Sequence, residues 1–155
     1  MASDPRHAVR ALIALAVFGV VSAAFGAVLA IGQQGGGVPL SYLAGTPFHS
    51  FLLPGLILGG VVGGTQLAAA IALWRRWQPS LLLAAVAAFG MLLWIFIELA
   101  MIGHYSWLQA VYFGHGILEM VLVLGLLGIA PGVMRPWTSV RTGAGGKDGL
   151  ERREG

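Results

Sequence analysis

The chain has 155 residues, of which 57% are hydrophobic and only 10% charged, with a mean hydropathy of +0.84 and a net charge of +3. A water-soluble domain carries about 25% charged residues, so this chain cannot cover a soluble surface, and it is too apolar for a disordered one. With no cysteine, disulfides, Cys zinc sites, iron–sulfur clusters and thiol chemistry are excluded.

Crossing about 30 Å of hydrocarbon takes roughly 20 helical residues. Four stretches qualify: 11–31, 47–74, 79–103 and 107–131. Each must be a helix, because lipid offers the backbone no hydrogen bonds, and no period-2 alternation signals a barrel. The first stretch follows Arg6 and Arg10, and with Val21-Ser22-Ala23-Ala24 it resembles a signal peptide. Its apolar run continues to Ile31, which favours a retained anchor.

Segment 32–46 is uncharged and rich in helix breakers, and Thr46-Pro47 reads as an N-cap with proline at the first helical position. The second span carries Gly55, Gly59 and Gly63 at steps of four, and a parallel row of Gly60, Gly64, Ala68 and Ala72. Such ladders let helices approach closely, so this span is expected at the centre of the bundle or at a dimer face. A weaker ladder in the first span runs through Ser22, Gly26 and Ala30. Pro54, two turns inside, is expected to remove a hydrogen bond and kink the helix.

Arg75-Arg76-Trp77-Gln78 makes a short turn before Pro79 restarts a helix. Gly103 ends the third span, and Ser106-Trp107-Leu108-Gln109 has capping-box spacing, which predicts a tight hairpin between spans three and four. Pro131-Gly132 stops the fourth. The expected organisation is therefore a four-helix transmembrane domain over residues 1–134 and a disordered, charged cytoplasmic tail over 135–155.

All nine Lys and Arg residues fall before span one, between spans two and three, or in the tail. The positive-inside rule then places both termini in the cytoplasm, as for a multi-pass protein of the cytoplasmic (inner) membrane. Trp74, Trp77, Trp107, Trp137, Tyr42 and Tyr105 fall at the expected interfaces. The basic residues thus read as topology signals and contacts to anionic membrane lipid, with no nucleic-acid footprint.

The few polar residues within the spans are the functional candidates. An ionised carboxylate near the bilayer centre costs at least about 2.5 kcal/mol and needs a partner, water or a proton. Glu98 lies near the outer end of span three, on one face with Met91, Trp94, Met101 and Tyr105. Glu119 lies near the middle of span four, with His115 and Tyr112 above it on the same face. His49 and His104 sit at the outer ends of spans two and three. Gln66 is the one amide deep in a span, since Gln109 starts span four.

Three readings stay open. His115 and Glu119 bond to each other and fix helix register while Glu98 snorkels outward. Alternatively Glu98, Tyr112, His115 and Glu119 line a hydrated pocket that takes a ligand or exchanges a proton, with His49, Gln66 and His104 as accessories. A metal or haem site would instead use His49, His104, His115 and the glutamates. No Walker loop, nucleophile elbow, zincin or dinucleotide motif is present, and the spans hold no Asp for magnesium-dependent phosphate chemistry.

The segment Gly63-Gly64-Thr65-Gln66-Leu67-Ala68, leading to Leu73-Trp74-Arg75-Arg76 before the third span, resembles the small four-helix bacterial membrane proteins of the DoxX-like group. Gln66 stands where an acidic residue is common in that group. The resemblance implies a cytoplasmic-membrane protein, sometimes associated with redox or oxidative-stress partners. The function expected is a binding or accessory component with an outward-facing polar pocket, alone, as a homo-oligomer, or with a membrane partner protein. The alternative is a redox enzyme subunit handling quinone or haem. A proton-coupled transporter is disfavoured, because four helices without a clear repeat give little scaffold for alternating access.

Overall fold

The computed structural model describes residues 5–103 and 105–129, so His104, the tail and its Trp137 lie outside the described residues. Four helices are long and apolar enough to cross a membrane: α1 Pro5–Gly32, α2 Leu52–Trp74, α3 Ser80–Ile102 and α4 Trp107–Leu126. There is no strand among the described residues. The helices alternate in direction, which leaves the start of α1, the α2–α3 turn and the end of α4 at one end. Arg75 and Arg76 mark it as the basic end. The opposite, loop end carries the α1–α2 connection and the α3–α4 turn.

The distribution of side-chain size is that of a chain solvated by lipid. Its buried positions are dominated by alanine, including Ala16, Ala69, Ala72, Ala84, Ala87 and Ala88, while Phe25, Val28, Leu82, Phe89 and Phe96 stand exposed. In lipid no hydrophobic force drives large residues inward, and small ones let helices approach. At the basic end Leu12, Leu73, Val123 and Leu126 close a core with Ala8, Ala69, Ala84 and Ala87.

The first glycine ladder of α2 packs within the chain, against alanines of α1. A Cβ on Gly59 would lie 2.8 Å from that of Ala27, one on Gly55 2.9 Å from that of Ala30, and one on Gly63 3.2 Å from that of Ala23. Gly60 and Gly64 of the second row meet nothing within 4 Å, although Ala72 of that row is fully buried. On the other side of the bundle, Gly116 of α4 sits against Leu92 and the Ala88 carbonyl.

Two expectations about α2 are corrected. The helix begins at Leu52 and not at Pro47, and Thr46 organises a turn instead: its hydroxyl donates to the Leu43 carbonyl at 2.8 Å and accepts from the Phe48 N–H at 3.2 Å. Pro54 consequently falls in the first helical turn, where its missing N–H has no helical acceptor to lose, so it costs no bond. The irregularity lies further on, as a π-helical stretch over Ile57–Val62. π-Turns often accompany functional sites, and this one holds Leu58 against Gly26 of α1.

The helix ends follow the local signals. Arg76 adopts φ 55°, and the Trp77 and Arg76 N–H groups donate to the Ala72 and Leu73 carbonyls, a Schellman ending with arginine in the place glycine usually takes. The Arg75 guanidinium stacks over the Trp77 ring at 5.7 Å. Gly103 ends α3 with φ 64°, and α4 starts on the predicted capping box.

Candidate functional site

The polar residues of the spans divide into two groups. The first is closed: Gln66 of α2 and His115 and Glu119 of α4 are 0%, 7% and 1% exposed. The Gln66 Nε2 donates to Glu119 Oε2 at 2.9 Å, and His115 Nε2 lies 3.5 Å from Glu119 Oε1. The carboxylate accepts only, so the Gln66 amide must turn its NH2 towards it. Its Oε1 is then left with no hydrogen-bond partner, as is His115 Nε2. Gln66 reaches Glu119 across Gly19 of α1, where a Cβ would meet the Gln66 carboxamide carbon at 2.7 Å.

The second group is open. A cavity of about 570 Å³ lies at the loop end among α1, α3, α4 and the Leu40–Leu43 turn. Leu58 of the π-stretch contributes to its wall, as do Ser22 and Gly26 of α1. The wall is apolar and aromatic, with Phe25, Tyr42, Trp94, Tyr105 and Tyr112, and Glu98 is the one acidic residue among its described lining. Phe25 and Tyr105 are 64% and 72% exposed, so the cavity communicates with its surroundings.

Glu98 is held by the hairpin. The Gln109 Oε1 accepts the Ser106 N–H at 2.8 Å in the capping box, which fixes the amide so that its Nε2 donates to Glu98 Oε1 at 3.3 Å. The Trp94 side chain lines the same cavity, one turn away on α3. One glutamine thus caps α4 and orients the cavity's carboxylate. Replacing Gln109 by leucine is expected to remove both bonds and destabilise by about 1 kcal/mol, the usual scale for a lost cap. Denaturant unfolding followed by circular dichroism reads this.

The expected site residues therefore do not form one constellation. Glu98 and Tyr112 line the cavity; His115 and Glu119 do not, and join Gln66 instead. Phe18 stands between the groups, its ring 6.2 Å from Tyr112 and 5.4 Å from His115. His49 is exposed and is not a cavity residue. No three His, Asp or Glu side chains among the described residues come close enough to hold a metal ion. Trp94, Gln109, Phe18 and Gly19 are the contributors that composition and periodicity did not single out for a site. The capping box signalled Gln109's position but not its bond to Glu98.

No protein-family model, no curated protein and no solved structure matches the chain.

Proposed function

We propose that this is a multi-pass protein of the bacterial cytoplasmic membrane, with both termini inside, that binds a small, mainly apolar molecule in the loop-end cavity. The observation that carries the reading is an aromatic cavity of about 570 Å³ with a single carboxylate held in place by Gln109. Ligand pockets for small molecules are of this size, mostly apolar, and carry a few fixed polar groups. An ionised Glu98 only accepts and carries negative charge, so it selects a ligand that presents a hydrogen-bond donor or a positive charge. The Gln66–Glu119 pair, closed and tied across two helices, acts as a lock that sets the register of α2 against α4.

Binding of the fluorescent aryl alcohol 2-naphthol to the protein in lipid nanodiscs tests this. Saturable one-to-one energy transfer from tryptophan, above that from partition into empty nanodiscs, is expected, with loss in a Ser22→Trp variant whose indole fills the cavity. Transfer that never saturates, or that ignores Ser22→Trp, would contradict the reading. The same aromatic wall supports a second reading, a redox subunit, since a quinol hydroxyl could donate to Glu98. Organic extraction would then recover quinone in stoichiometric amount.

The orientation is supported by the basic residues, all nine of which fall in the sequence before the first apolar span, between the second and third, or after the fourth. Because the chain has no cysteine, single replacements report cleanly. Ser41→Cys is expected to react with a membrane-impermeant maleimide on intact cells, and Gln78→Cys only after permeabilisation. The reverse pattern would invert the topology.

A further inference from the structure

We propose that the loop-end cavity binds a small organic monocation, an amine or quaternary ammonium on an apolar body, with Glu98 as its counter-ion. This rests on the cavity being a ligand site and names the class of ligand it takes.

Three observations converge. Glu98 carries an acidic group inside a spanning helix, yet no Lys, Arg or His among the described residues lines the cavity. The group that does reach Glu98 among the described residues, the Gln109 amide, is a neutral donor. It orients the carboxyl group and brings no positive charge to it. An ionisable residue inside a span marks a functional site by default, and its ionised form is costly there without a partner. A cation brought in by the ligand supplies the missing compensation.

The second observation is what surrounds the carboxylate. Trp94, Tyr42, Tyr105 and Tyr112 line the same space. Aromatic faces attract cations, tryptophan most strongly, and several such rings lining one cavity with an acid suit ammonium recognition. They would favour a neutral hydroxyl far less. Third, the rest of the wall is aliphatic, with Leu58, Met91 and Ile95 among its residues. A compact inorganic cation or a hydrophilic amine would leave this surface unpaired, whereas an apolar body on the ammonium covers it.

The test uses the full chain in nanodiscs of zwitterionic phosphatidylcholine, which removes adsorption of cations to anionic lipid. Two probes of equal shape are compared by titration calorimetry: benzyltriethylammonium and its neutral analogue with carbon in place of nitrogen. Binding of the cation at least tenfold tighter than that of the analogue is expected. Glu98→Gln, which can keep the Gln109 bond, should abolish the preference while leaving the unfolding midpoint in place. Trp94→Leu should weaken the cation several-fold and the analogue little. Equal binding of the two probes, both lost in Ser22→Trp, would overturn the cationic class and leave the cavity as a ligand site. Should neither probe bind while 2-naphthol also fails to saturate, the site itself falls. A preference that survives Glu98→Gln would overturn the counter-ion.

Discussion

Replacing Gln66 by alanine is expected to destabilise the bundle by about 1–3 kcal/mol, because it leaves the buried Glu119 carboxylate without its amide donor. Interhelical hydrogen bonds in membranes are often worth only about 0.6 kcal/mol, since partners can be found elsewhere in the unfolded state. Here the acceptor is a carboxylate 1% exposed, so the cost lies in the group left behind more than in the bond removed. Gly19→Ala should cost nearly as much without replacing either partner. Its Cβ would stand 2.7 Å from the Gln66 carboxamide carbon and 3.0 Å from Oε1, so the amide must move and the bond to Glu119 stretch or break. The two changes act through one interaction and are therefore non-additive. In a Gln66→Ala background, Gly19→Ala should cost only a few tenths of a kcal/mol, the scale left for uncoupled sites. Titration with denaturing detergent, read by circular dichroism, gives the four corners of the cycle. Additive losses would show that Gly19 does not act through Gln66.

Gly59→Leu should be at least as damaging, and Gly60→Leu next to it nearly silent. The Gly59 Cβ would lie 2.8 Å from the Ala27 Cβ, at a close approach of α1 and α2, while a Cβ on Gly60 meets nothing within 4 Å. Overfilling a packed interface costs about 1–3 kcal/mol, more when the backbone must separate. Gly55→Leu and Gly64→Leu repeat the contrast one turn away on either side, since Gly55 faces Ala30 and Ile31 while Gly64 is open. If Gly60→Leu and Gly64→Leu destabilised as strongly as Gly59→Leu, something outside the chain would have to cover that row, a second copy first among the candidates. Comparing these variants by the same titration separates packing within the chain from packing between chains.

The four spans were legible because hydropathy and length leave a lipid-exposed chain few alternatives. Their edges were less so at α2. Residues Pro47, Phe48, Phe51 and Leu52 are apolar whether or not they are helical, so composition could not show that the helix waits until Leu52, nor that Pro54 then falls harmlessly in the first turn. Gly103, Ser106 and Gln109 were legible because a cap is a local matter, decided within four residues. The site was half legible. Periodicity puts His115 and Glu119 on one face of α4 and Glu98 on one face of α3, but a helical face does not name what it meets. That Glu119 meets Gln66, and not Glu98, depends on how closely α1 lets the Gln66 side chain pass, which Gly19 decides. The first glycine ladder was read correctly as a packing surface; which of two adjacent rows faces α1 follows from the bundle geometry and could not be read from spacing alone.

The two intramembrane glutamates have different work: Glu98 faces a cavity that a ligand can enter, and Glu119 is closed into the fold. Dicyclohexylcarbodiimide, an apolar reagent that modifies carboxyl groups within membranes, distinguishes them directly. Peptide mass spectrometry after treatment in nanodiscs is predicted to find the label on Glu98, reduced by benzyltriethylammonium and by Ser22→Trp, and to find Glu119 unmodified until the protein is unfolded. Labelling of Glu119 in the folded protein, with Glu98 spared, would contradict the assignment.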